Sequence, residues 1–100
     1  MAEHEVNAVS KPNRLSTHEH ITHIGNNDLG WRMTREAAIR RIDAHVDKFY
    51  TLDKQTRKKA YIGVVRENGK YPYLRTHADG KWNDNLLALP ECNSTSRLIE

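Results

Sequence analysis

A chain of 100 residues with 37% hydrophobic residues and a mean hydropathy of −0.84 has room for one small domain with a small core. A formal charge of +3 permits an anionic partner without requiring one, because 13 acidic residues are interleaved with 16 basic ones. The single cysteine, Cys92, excludes an intrachain disulfide, no segment is apolar enough to span a membrane, and no signal-peptide core is visible at the N-terminus, so a cytoplasmic setting is expected.

In chain order, "MAEHEVNAVSKPNRLS" has no periodicity, few apolar residues and a proline, which predicts a disordered tail over residues 1–16. "THEHITHIG" alternates like a short strand and runs into the turn-rich "GNNDLG". Thr34 is placed to cap a helix over "REAAIRRIDAHVDKFY": Ile39, Ile42, Val46 and Phe49 fall at helical spacing, and Glu36 suits the positive end of the dipole. Its outer basic face, with Arg40, Arg41 and Lys48, reads as a solvated surface. "FYTL" and "KAYIGVVR" then read as strands around a basic turn, and "RENGKYPYLRT" as a hairpin.

A three-residue loop at Glu67-Asn68-Gly69 sets Ile62 opposite Leu74, Val64 opposite Pro72 and Ala60 opposite Thr76. One face then carries Ala60, Ile62, Val64, Pro72 and Leu74 for burial, and the other carries Tyr61, Gly63, Val65, Tyr71, Tyr73 and Arg75. The expected fold is a small α+β domain over residues 17–92, with one helix on an antiparallel sheet of three or four strands. The leucine segment Leu86, Leu87 and Leu89 docks on that sheet, and residues 93–100 form a second disordered tail.

The face of Tyr61, Tyr71, Tyr73 and Arg75, with Arg57, Lys58 and Lys59 beside it, has the components of a binding surface. Tyrosines and cations suit a protein partner or a second copy of the chain, and they also suit stacked bases and phosphates. Burial beneath the C-terminal leucines is the competing, structural explanation of the same residues. Six histidines raise a metal-dependent enzyme as the weakest alternative. His18 and His20 would point to one side of a strand and His77 could join them, but the second close ligand pair of a structural zinc site is missing. No cofactor is implied. Cys92 has no base or oxyanion donor near it in sequence, Asp79 and Asp84 do not make an acid/base pair, and "DGKWNDN" breaks the calcium-loop pattern at Lys81. The polar run Asp79, Lys81, Trp82, Asn83, Asp84 and Asn85 reads first as a knot capping the "LLAL" turn, and second as a ligand loop.

The run "YLRTHADGKWNDNLLALPEC", with "HITHIG", "WRMTREAAIRRID" and "KFYT" upstream, resembles the small bacterial proteins catalogued as domain of unknown function 3892. The resemblance covers Ile21 to Cys92 and implies one shared domain, with the N-terminal extension outside it. It brings no activity, cofactor or catalytic residue. The function expected from the residues is a non-catalytic binding module with a protein partner or with itself, and the alternative is a nucleic-acid-binding module on the same face.

Overall fold

The structure is a computed structural model, and it describes residues 2–12, 17, 20–53, 55–78, 80–83 and 85–99. Nine strands and one helix follow in chain order among these residues. They are β1 (Ala2–Glu5), β2 (Ala8–Ser10), β3 (His23–Asn26), β4 (Trp31–Thr34), α1 (Arg35–Asp43), β5 (Asp47–Leu52), β6 (Lys59–Val65), β7 (Tyr73–Ala78), β8 (Lys81–Asn83) and β9 (Arg97–Ile99). They form two sheets, one of five strands in the order β1-β5-β6-β7-β8 and one of four in the order β2-β3-β4-β9. The pairs β1/β5 and β4/β9 are parallel and the rest antiparallel.

This corrects the expectation of one small sheet under one helix. The helix is shorter than the spacing of Ile39, Ile42, Val46 and Phe49 predicts. It starts as expected, with the Thr34 hydroxyl accepting from the Ala37 N–H at 3.1 Å. It stops at Asp43, because His45 takes a left-handed φ of 59° and the His45 and Val46 N–H groups turn back to the Ile42 and Arg41 carbonyls. Beyond that point the burial period is 2: Asp47, Phe49 and Thr51 are buried, while Lys48, Tyr50 and Leu52 are not. Val46, expected in the core, is exposed.

Both expected tails are also corrected, as far as they are described. β1 lies along β5, and β2 along β3. Between them the Val6 N–H donates to the Tyr50 carbonyl at 2.7 Å and the Asn7 N–H to the Gly25 carbonyl at 3.0 Å. Two successive residues therefore hand the chain from one sheet to the other. Val6, Ala8 and Val9 are fully buried. At the other end β9 extends the second sheet, with Ser96 buried just before it. Residues 13–16 lie outside the described residues.

The core is a single cluster drawn from both sheets and the helix, and it includes Ile24 and Met33 from one sheet, Phe49, Ile62 and Leu74 from the other, and Ala37 and Ala38 from α1. Leu86 is buried inside it, and Leu87 and Leu89 pack against it. The C-terminal leucines thus enter the core rather than dock on the tyrosine face.

The β6/β7 register differs from the expected one by two residues: Ile62 pairs with Thr76, Val64 with Leu74 and Gly63 with Arg75. Arg66 to Pro72 form the connection, with Gly69 at φ 78°. Because side chains alternate with period 2, a slip of two leaves the assignment to faces intact. Ala60, Ile62, Leu74 and Thr76 are buried as the inner set.

Candidate functional site on the outer face of the five-stranded sheet

Strand register places one row of outward side chains across the sheet. Glu3 of β1 lies opposite Lys48 of β5, and Glu5 opposite Tyr50. Tyr50 lies opposite Tyr61 of β6, Tyr61 opposite His77 of β7, and His77 opposite Trp82 of β8. Four rings and their cations therefore share one face. The Tyr50 and Tyr61 rings meet edge-on at 6.1 Å, and those of His77 and Trp82 at 5.4 Å. Lys59 holds its ammonium 4.4 Å from the Tyr50 ring centre, and Lys48 stands 5.6 Å from that of Tyr61.

Glu3 ties this row at the sheet edge. Its carboxylate accepts from the Tyr61 hydroxyl at 3.0 Å and stands 3.4 Å from the Lys59 ammonium. The Tyr61 bond holds the Glu3 carboxyl below its usual range and pushes the Tyr61 hydroxyl up. Gly63 leaves room for the other pair: a Cβ there would fall 3.1 Å from both the His77 and Trp82 rings, so glycine lets them lie close over β6.

The tyrosines picked out from sequence do not form one patch. Tyr61 sits mid-row. Tyr71 is 86% exposed but belongs to the β6–β7 connection, and Tyr73 is only 6% exposed, its hydroxyl donating to Glu67 at 3.0 Å. Arg75 is on the outer face, donating to the Asn83 carbonyl at 3.3 Å. Arg57 and Lys58 are exposed in the β5–β6 connection, where Arg57 has φ 59°. Lys48, Tyr50 and His45 were missed because helical spacing assigned them to the helix; the alternation in "DKFYTL" is the signal that finds Lys48 and Tyr50.

The polar run, where it is described, supplies a strand and the turn that leaves it. Lys81, Trp82 and Asn83 form β8, after a turn with Gly80 at φ 76°. The Asn83 side-chain oxygen accepts from the Asn85 N–H at 3.1 Å and also from the Thr76 hydroxyl, fixing the entry to the turn that buries Leu86. Asp79, Asp84 and His18 lie outside the described residues. His20 is exposed, with its N–H bonded to the Thr17 carbonyl, while His77 meets Trp82 edge-on. Among the described residues no group of three or more His, Cys, Asp or Glu is placed to hold a metal ion. Burial pushes the Cys92 thiol up, opposite to what an activated nucleophile needs.

Beside the row, the buried Asp47 carboxylate accepts from Arg41 at 2.9 Å on one oxygen and stands 2.9 Å from the His4 ring on the other. The Arg41 bond is the main cause of an Asp47 carboxyl held below its ordinary range. Asp47→Asn is expected to cost about 1–2 kcal/mol at neutral pH, a figure kept low because Arg41 is a third exposed. A depressed carboxyl stabilises the fold above its unfolded pKa, and that contribution is lost as pH falls through the folded value. The gap between wild-type and Asp47→Asn urea midpoints should therefore be full at neutral pH and shrink below about pH 4.

His45 supplies a second expectation. A non-glycine residue in the left-handed region costs about 1 kcal/mol or more, partly offset by the chain entropy that glycine would add. His45→Gly is expected to stabilise the fold by about 0.5–1 kcal/mol, visible as a melting temperature raised by a few degrees. An unchanged or lower melting temperature would mean that the imidazole has packing that compensates its backbone.

No helix among the described residues is long and apolar enough to cross a membrane. No curated protein and no solved structure matches the chain. A family model described as "Protein of unknown function (DUF3892)" matches residues 5–90. That match begins inside β1, so the shared region takes in most of the N-terminal stretch that the sequence resemblance left outside it. Covering most of the chain, the match makes this protein a member of the DUF3892 family.

Proposed function

We propose that the protein is a non-catalytic binding module whose outer sheet face docks a protein partner or a second copy of the chain. The observation that carries this is where the leucines go. Leu86, Leu87 and Leu89 are taken up by the core, so the segment that had the best claim to cover Tyr61 leaves it. What remains is a row of Tyr50, Tyr61, His77 and Trp82 with Lys48, Lys59 and Arg75, and tyrosine, tryptophan and arginine are the residues that anchor protein interfaces. Trp82 is 46% exposed, so it has area left to bury. A cytoplasmic setting fits one half-buried, unactivated cysteine.

Nucleic acid suits this face less well. Stacked bases need free ring faces, whereas Lys59 and Lys48 already stand over the Tyr50 and Tyr61 rings, and the Glu3 carboxylate sits beside them. The test compares wild type with the double variant Tyr61→Ala/Trp82→Ala, each checked for folding by circular dichroism. Proteins retained from lysate by wild type, lost by the variant and held as salt rises would support a protein partner. Sedimentation equilibrium reads the second-copy case. Binding of a single-stranded oligonucleotide that falls steeply with salt, and that the same variant loses, would overturn both in favour of nucleic acid.

A further inference from the structure

The five-stranded sheet is split along part of its length. β5 and β6 pair at Tyr50/Tyr61, Thr51/Ala60 and Leu52/Lys59, and the pairing goes no further. Beyond Tyr50, β5 keeps β1 as its neighbour and β6 keeps β7, so the two strands turn edges toward each other across a gap. The Asp43–Arg66 ion pair, at 2.5 Å, links the end of α1 to the residue after β6. Within the split lies a cleft of about 310 Å³, with Ile42 and Ile62 among its apolar lining and His45, Lys48, Tyr61 and His77 supplying its polar and aromatic groups.

The chemistry of the lining selects a ligand. Asp47 also faces the cleft, but Arg41 and His4 engage its two oxygens, so its negative charge is already answered. The Tyr61 hydroxyl is committed to Glu3, and its ring has the Lys48 ammonium over it. The exposed Lys48 ammonium, 5.6 Å from the Tyr61 ring centre, and the His45 imidazole are the cationic or donor groups beside an apolar floor. His45 occupies a backbone position that glycine fills with less strain, and strained residues of this kind collect at binding sites.

We propose that this split binds a small apolar carboxylate, its body against Ile42 and Ile62 and its carboxylate at Lys48 and His45. The volume is at the low end for ligand pockets and suits one aromatic ring or branched aliphatic group on a short stem. The cleft shares Lys48, Tyr61 and His77 with the outer face, and the inference goes beyond the docking reading by assigning a small ligand whose binding is read on the purified protein alone. A free acid and the last residue of a peptide chain present the same chemistry.

The test is a titration of the full ¹⁵N-labelled protein, followed by amide shifts, with four probes. These are phenylacetate, an acetylated peptide ending in a free phenylalanine carboxylate, the same peptide as its terminal amide, and phenethylamine. At least one of the two acids should saturate shifts at Lys48, Ile62 and Gly63, and the tighter of them names the source. The amide and the amine should bind at least about tenfold more weakly, and Lys48→Gln should weaken the acid about tenfold, the loss of one charge-assisted contact. Lys48 is exposed, so that variant keeps its fold. Amine binding equal to acid binding, shifts confined to other strands, or no saturable shift with either acid would overturn the site. None of these outcomes depends on a protein partner, so failure here is distinct from failure of the docking face.

Discussion

Deleting residues 2–10 should leave the chain unfolded at room temperature. The loss begins with two ladders, because β1 is the partner of β5 and β2 the partner of β3. It continues in the core, where Val6 and Val9 are fully buried, and burying a side chain of this size contributes about 1.5–3 kcal/mol. The backbone edge of β5 that pairs with β1 would also be left open. A domain of this size has about 5–15 kcal/mol in total, so two core valines and two strand pairings are most of what it has. Circular dichroism and a denaturant melt of the truncated chain check this. A truncated chain that kept a cooperative melt near the wild-type midpoint would mean that these strands add nothing to the fold.

Phe49→Ala should be the most damaging single substitution, at about 3–5 kcal/mol. Phe49 is the largest fully buried side chain among those described, and its ring lies 5.5 Å from that of His4 and 6.3 Å from that of Trp31. Those three residues come from β1, β4 and β5, so the ring joins both sheets. Removing it leaves a cavity that none of the three strands can close alone. Ile42→Ala, by contrast, should cost less, since Ile42 only packs against the core from a half-buried position. Denaturant midpoints for the two variants check the order. The same magnitude for both would place the centre of the core nearer the helix than the structure does.

Phe49 also explains why the fold was only partly legible in the sequence. Ile39, Ile42, Val46 and Phe49 satisfy a period of 3.6, and Asp47, Phe49 and Thr51 satisfy a period of 2, so the same residue supports either element. The contest is settled by a left-handed His45 and by pairing to β1, and neither is visible in local pattern. β1, β2 and β9 have four, three and three residues, too few to show any period. They are strands because partners distant in sequence accept their hydrogen bonds, which is a tertiary effect.

The helix start was readable because one hydroxyl at Thr34 does a local job. The hairpin faces were readable because alternation survives a register slip of two. That same alternation put Tyr61 on the outer face, which holds. It could not anticipate that the longer connection would carry Tyr71 off the sheet, or that Tyr73 would be buried with its hydroxyl on Glu67. In the polar run, expected first as a knot capping the "LLAL" turn, it is the Asn83 side-chain oxygen that accepts from the Asn85 N–H and the Thr76 hydroxyl. Asp84, the expected capper, lies outside the described residues.

Site-specific photo-crosslinking tests the central claim, that the outer sheet face is the binding surface, most directly. A photoreactive phenylalanine analogue would replace Tyr61, and in a separate variant Leu98 of β9, which is 42% exposed on the other sheet. Illumination in cells that make the protein should give a discrete protein adduct, or a dimer, from position 61 and none from position 98. Equal adducts from both positions, or an adduct from position 61 that nuclease removes, would contradict the assignment of this face to a protein partner.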